Sequence, residues 1–150
     1  MVVYLGIAPE LLFSSSDIEV NKFCFELDES GIRGELNATA EHMHELRSLG
    51  CQFVLSEFGT GQASYRTLKT LPVDMVKIDR NLIDDLHTSS ADYALVKSIQ
   101  EIARFMAKKT IAEYTDNDIA WDILRGIGVD FSSGSRDSAV PLDGLELPPA

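Results

Sequence analysis

Positive charge is the scarcest commodity in this 150-residue chain: 13 Lys and Arg stand against 24 Asp and Glu, a formal net charge of −11. Such a deficit argues against a nucleic-acid backbone or an anionic membrane surface as the main partner. It leaves room for a small anionic ligand bridged by a divalent cation, although plain solubility accounts for it as well. Cysteine is nearly absent too. Cys24 and Cys51 sit in apolar, strand-like runs without metal-type spacing, which reads as buried, reduced thiols of a cytoplasmic protein. No apolar run approaches the ~18 residues that a membrane span needs. The opening MVVYLGIAPELLF has neither a basic leader nor a small-residue cleavage site, so it does not read as a signal peptide. Internal repeats and domain-splitting linkers are also lacking. What remains is 45% hydrophobic residues, enough for one domain with one sizeable core.

Apolar patterning alternates between short strands and amphipathic helices. Val2–Ile7 reads as a first buried strand, 8–22 as a connection, and Phe23–Leu27 as the next strand. Glu35–Leu49 is an expected helix, with Leu36, Ala40, Met43 and Leu46 inward and Gly50 closing it. Gln52–Glu57 is a third strand. Ala91–Ala107 is a helix with a Leu95, Ile99, Ile102, Met106 stripe and Ser89 or Ser90 as its cap. Lys109–Glu113 is a strand. Asn117–Ile127 is a helix capped by Asp116, with Ile119 and Ile123 inward, and Val129–Phe131 is a short last strand. From Ser132 the chain reads as loop and tail. Alternation with short connections means α/β with a parallel sheet, and six strands do not close a barrel of about eight.

The stretch Leu55–Asp79 organises the rest. A strand ends at Ser56-Glu57, the loop Phe58-Gly59-Thr60-Gly61 turns the chain, and a short helix over Ala63–Lys69 is broken by Leu71-Pro72. The strand Asp74–Asp79 then places Met75, Lys77 and Asp79 on one face, with Val76 and Ile78 on the other. A Lys and an Asp on a strand face ask for a polar explanation. Glu26, Glu57, Asp79 and Glu113 all fall at or near C-terminal strand ends, where parallel α/β sheets carry their sites. Four carboxylates facing the single ammonium of Lys77 call for protonation, water or a cation, and oxygen donors of this kind suit Mg²⁺, Mn²⁺ or Ca²⁺. The glycines of the loop read first as turn residues with positive φ, and only second as a phosphate cradle of backbone N–H groups. His42 and His44 do not share a helix face and read as surface residues. His87 reads as a turn residue, Trp121 as packing, and Asp84-Asp85 as a helix end.

These motifs resemble the EAL family of cyclic-di-GMP phosphodiesterases. Phe58-Gly59-Thr60-Gly61 and Leu71-Pro72-Val73-Asp74 with Lys77-Ile78-Asp79 are similar to its DDFGTG loop and its Pro-Val-Asp-x-x-Lys-Ile-Asp strand. Phe25–Ser30, Arg47–Gly50, Lys109–Glu113 and Gly128-Val129-Asp130 resemble further family stretches in the same order, from about Val2 to about Leu145. The resemblance implies a truncated, incomplete (β/α) TIM-barrel derivative in one domain, with residues 1–134 as core and 135–150 as tail. It also implies divalent ions on carboxylates such as Glu26, Glu57, Asp79 and Glu113, with Lys77 and Glu113 assisting attack of water on a phosphodiester. Glu29 resembles the glutamate that steadies the Gly59-Thr60-Gly61 loop. The departures are specific. The strands carrying the Glu-Ala-Leu signature are absent, Gly6 stands where the family has a metal-binding Asn, Ser56 and Glu57 replace two aspartates, and Ser133 replaces a Gln. The expectation is therefore a degenerate signalling module without catalytic activity and without a bound cofactor, whose remnant residues form a Lys77-centred network. If the site still works, it is a Mg²⁺- or Mn²⁺-dependent phosphodiesterase, or a receptor that binds cyclic-di-GMP without cleaving it. A homodimer or a protein partner is expected for an incomplete barrel with open strand edges; nucleic acid and membrane are not.

Overall fold

The computed structural model describes residues 24–28, 36–59, 61, 65–113, 117–133 and 139–141. The expected strand over Val2–Ile7, the connection that follows it, Glu29 and Thr60 lie outside these residues. Six strands form one sheet: β1 (Cys24–Leu27), β2 (Gln52–Phe58), β3 (Met75–Ile78), β4 (Lys109–Ala112), β5 (Phe131–Ser133) and β6 (Ala139–Pro141). They lie side by side in chain order. The first five are parallel, and β6 runs antiparallel to β5. Parallel neighbours need crossovers, and helices supply them: α1 (Leu36–Ser48), α2 (Tyr65–Thr70), α3 (Arg80–Asp84), α4 (Ser90–Phe105) and α5 (Asp118–Ile127). Strand order never reverses, so same-handed crossovers lay the helices on one face, as in the wall of a barrel.

Phe25, Phe53, Leu55, Val76, Ile78 and Ala112 point to that covered face, and all are buried. They pack with Met43 and Leu46 of α1, Leu68 of α2, Ile83 of α3, Val96 and Ile99 of α4 and Leu124 of α5. Phe25 stacks on Phe53 across the β1–β2 pair at 5.4 Å between ring centroids. The alternation expected of β3 holds: Val76 and Ile78 are fully enclosed, while Met75 and Lys77 are only partly so.

Two helix faces depart from expectation. The buried stripe of α4 is Val96, Ile99, Gln100 and Ala103, whereas Leu95 is 45% exposed and Ile102 and Met106 pack at the margin. The cause is Gln100. Its side-chain amide donates to the Gly128 carbonyl at 2.6 Å and its amide oxygen accepts from the Thr110 hydroxyl, so a polar residue occupies an inward position. In α5 the cap is Asn117, whose side-chain oxygen accepts from the N–H groups of Ile119 and Ala120; Asp116 lies outside the described residues. Starting there, the helix turns Ala120 and Leu124 inward and leaves Ile119 60% exposed, with Ile123 at the core margin. Small Ala120 hides the true face from an apolar-pattern reading. Ser89 caps α4 as expected, accepting from the Asp92 N–H.

The last parallel strand begins two residues later than expected, at Phe131, because Asp130 is committed to β4. Its Oδ2 accepts from the Thr110 N–H at 3.0 Å and its Oδ1 from Lys109 Nζ at 2.7 Å. The stretch read as loop and tail supplies most of β5 and all of β6. Asp74 plays the same part before β3, taking the Phe53 N–H at 2.9 Å and Arg47 at 2.7 Å. In both places a Val-Asp pair precedes a strand, with Val73 and Val129 buried.

Candidate functional site

The face of the sheet away from the helices carries Glu26, Met75 and Lys77 in alternating positions, with Glu113 just past the end of β4. Lys77 Nζ lies 3.1 Å from Glu26 Oε1, reaching over β2 to β1, and 3.5 Å from Glu113 Oε1. The three side chains are 19%, 31% and 27% exposed, respectively. Burial alone pushes the Lys77 ammonium down. The hydrogen bond and charge of Glu26, followed by those of Glu113, outweigh it and hold the group above its ordinary value, so it is charged at neutral pH.

Of the four carboxylates expected to converge, two therefore meet Lys77. Asp79 does not: it caps the short helix α3, its Oδ1 accepting from the Asn81 backbone N–H at 2.8 Å and from the Asn81 side-chain amide at 2.7 Å. The signal for this was present, since an Asp directly before a polar pair and Leu82-Ile83 marks a helix start. Glu57 is exposed and adopts φ 56°, at the point where the β2–β3 register shifts. A bulge of this kind re-aims side chains at the rim of a sheet. Ser56 is buried, and its hydroxyl donates to the Leu27 carbonyl at 3.2 Å.

The loop that follows begins at Gly59 with φ 109°, and Gly61 has φ 89°. At Gly59 the requirement is double. A Cβ there would lie 2.4 Å from Leu82 Cδ1 and 2.9 Å from Ile99 Cδ1, so this end of the loop is seated directly on α3 and α4. Ser133 donates a long, 3.4 Å bond to the Ala112 carbonyl.

Other candidates are structural. Cys51 is buried, and Cys24 is half-buried beside the site. Burial, then the charges of Asp74 and Glu26, push the Cys24 thiol up to about 11, which keeps it protonated and unreactive at neutral pH. His42 bonds the Ala38 carbonyl of its own helix, and His44 is exposed. His87 pairs with the Asn117 amide at 3.0 Å. Trp121 packs at the core margin, and Asp84 ends α3 in an ion pair with Arg80. Asp74 and Asp130 were not singled out by pattern; the repeated Val-Asp before a strand is the signal that would have found them.

Hard carboxylate oxygens are the donors that Mg²⁺ or Mn²⁺ takes. Among the described residues, however, no three His, Cys, Asp or Glu gather closely enough to hold a metal ion. With Lys77 Nζ within reach of both Glu26 and Glu113, with Asp79 turned to its helix and Ser56 to a backbone carbonyl, these residues do not fit a divalent ion in this arrangement. No helix among the described residues is long and apolar enough to cross a membrane.

Comparison with known proteins places this geometry. Residues 6–135 match the EAL domain. The chain is 41% identical over 118 residues to cyclic di-GMP phosphodiesterase PdeB of Shewanella oneidensis, covering 79% of this chain and 14% of that protein. It is 33% identical over 123 residues to cyclic di-GMP phosphodiesterase PdeF of Escherichia coli, covering 82% of this chain and 16% of that one. The chain thus spans about a seventh of the length of these relatives. Among solved structures, the EAL domain of Mycobacterium smegmatis DcpA superposes with a TM-score of 0.70 at 27% identity, over 79% of this chain and 54% of that one. The parallel sheet with helices along one face is accordingly an incomplete version of the TIM-barrel-like fold of such domains, and the chain belongs to the EAL domain family.

Proposed function

We propose that this chain is a degenerate EAL module of cyclic-di-GMP signalling, one that does not hydrolyse the dinucleotide and acts through regulation or contact with another protein. The observation that carries this reading is the engagement of Lys77 with both Glu26 and Glu113. Serine and glutamate at positions 56 and 57 add to it, the first buried against a backbone carbonyl and the second on a left-handed backbone. A cytoplasmic location and a homodimer or dedicated protein partner belong to the same proposal. Incubation of the purified chain with cyclic-di-GMP and Mg²⁺ or Mn²⁺, followed by chromatography of the products, is the test. An unchanged dinucleotide is expected, and metal-dependent appearance of the linear product would overturn the reading.

A second reading is favoured by the identity to relatives named as phosphodiesterases together with the retention of Lys77 and Glu113. In that case the chain keeps residual metal-dependent hydrolysis, and Lys77→Ala abolishes turnover while leaving the fold intact by circular dichroism.

A further inference from the structure

We propose that Lys108 is an acylation site of this chain, the amine that a small acyl phosphate modifies ahead of the other lysines. The inference concerns the end of the sheet opposite the Glu26, Lys77 and Glu113 cluster, and it does not rest on the reading of that cluster.

The lysines differ in what surrounds their Nζ. Among the described residues there are five: Lys69, Lys77, Lys97, Lys108 and Lys109. Lys77 is ion-paired to Glu26 and Glu113, and Lys109 to Asp130; carboxylates hold an ammonium in its protonated, unreactive form. Lys69 and Lys97 are exposed, and water favours the charged form as well. Lys108 alone of the five is half-buried with a neutral acceptor: its Nζ donates to the Val73 carbonyl at 2.7 Å. Asp74 is close by but commits its two oxygens elsewhere, to Arg47 at 2.7 Å and to the Phe53 N–H at 2.9 Å. The backbone fixes this placement. Ala107, at φ 54°, turns the chain out of α4; the Lys108 N–H returns to the Ala103 carbonyl at 2.8 Å, and the Lys109 N–H goes to the Asp74 carbonyl at 3.1 Å. Burial pushes the Lys108 ammonium down, the charge of Asp74 opposes this, and the charge of Arg47 adds to the lowering, so the group sits below its ordinary value. A half-desolvated amine near a second cation is the setting in which lysine becomes a nucleophile.

In the step itself the unprotonated Nζ attacks the acyl carbon. An N–C bond forms, the C–O bond to phosphate breaks, phosphate leaves with the electron pair, and the amine proton passes to water. Positive charge at Arg47 favours approach of the anionic donor. The amide product keeps one N–H for the Val73 carbonyl and loses the charge. Acylation therefore alters the electrostatics of this end of the sheet without untying it.

Acetyl phosphate is the probe. The full chain is incubated with it and digested, and the initial labelling rate of each lysine is read by tandem mass spectrometry, which separates Lys108 from Lys109. Lys108 is expected to label at least about threefold faster than Lys69 and Lys97 in the folded chain, and at about their rate in guanidinium chloride. In Arg47→Gln the Lys108 rate is expected to fall at least about twofold while that of Lys97 stays the same. Labelling of Lys108 in the folded chain no faster than that of Lys69 and Lys97 would overturn the proposal. A preference that persists in guanidinium chloride would overturn it too, since it would come from the local sequence rather than from the folded site. So would an unchanged Lys108 rate in Arg47→Gln that is folded by circular dichroism. Should that variant fail to fold, the comparison of folded with unfolded native chain still decides.

Discussion

The two faces of the sheet are made by the same strands, yet they are different materials. On the helix side Phe25, Phe53, Leu55, Val76, Ile78 and Ala112 are almost completely withdrawn from water, and the polar Thr110 is admitted only with its hydroxyl bonded to Gln100 and Asp130. On the opposite side Cys24, Glu26, Met75, Lys77 and Phe131 are each partly open, and charge is matched by charge. Successive residues of one strand can differ this much because alternation sends them in opposite directions. Val54 and Ile111 are buried on this second face too, so the helix side holds the larger part of the enclosed apolar surface and the other side holds the partly open charge.

Substitutions test that division, and the covered face should give the largest effect. Phe53→Ala removes a ring that is fully enclosed and stacked on Phe25, so a loss of about 3–5 kcal/mol is expected in urea unfolding. Met75→Ala on the opposite, partly open face should cost well under half as much; equal losses would mean that both faces carry the core. Next comes Asp130→Asn, for which a loss of about 1–3 kcal/mol at neutral pH is expected from its bonds to Lys109 and Thr110. Burial pushes the Asp130 carboxyl up, but Lys109 and the Thr110 N–H outweigh it and hold it below the ordinary range. Its contribution is thus complete above the unfolded carboxylate value of ~4 and disappears as pH falls through the lower folded value. A stability profile of the variant should be flatter across acid pH than that of the native chain, and parallel profiles would remove Asp130 from the account.

Smaller still is Lys77→Met, at about 1–2 kcal/mol for a partly screened ion pair. Because the folded pKa is raised, the native advantage is present below the ordinary lysine value and is lost as pH rises through the folded one. Thermal unfolding at neutral and strongly alkaline pH should show the gap between the two proteins closing. At the bottom of the scale, Leu95→Ala should change stability by less than about 0.5 kcal/mol, whereas its neighbour Val96→Ala should cost about 1–3. A large Leu95 effect would place a covering surface over α4.

What could be read without coordinates follows from how far each signal reaches. Strand and helix alternation, the capping glycine at position 50 and the burial of Val76 and Ile78 are local features, and they were legible. So was the meeting of Lys77 with Glu26 and Glu113, since strand ends of a parallel sheet come together. Asp79 misled because two local rules competed for it: alternation aimed it with Lys77, and helix capping took it to Asn81. Gln100 and Leu95 misled for a longer-range reason. Only the arrival of Gly128 and Thr110 from later in the chain makes an inward glutamine stable, and that rotates the buried stripe of α4. The strand at Ala139–Pro141 is three residues long, too short for a periodic signature, and is defined by its pairing with β5.

The aspartates ahead of β3 and β5 have a wider consequence. Asp74 exchanges bonds with Phe53 through both its carboxylate and its N–H, its carbonyl takes the Lys109 N–H, and Asp130 takes the Thr110 N–H. Four consecutive strands are thereby sewn along one edge, like the pages of a bound book. At the other end, where Glu57, Gly59 and Glu113 lie, the ties between strands are made by side chains instead: the Ser56 hydroxyl to the Leu27 carbonyl, and Lys77 to Glu26 and Glu113. The register of four strands is thus held from the end opposite the charged cluster, so a change in the side chains around Lys77 leaves the bonds of Asp74 and Asp130 in place.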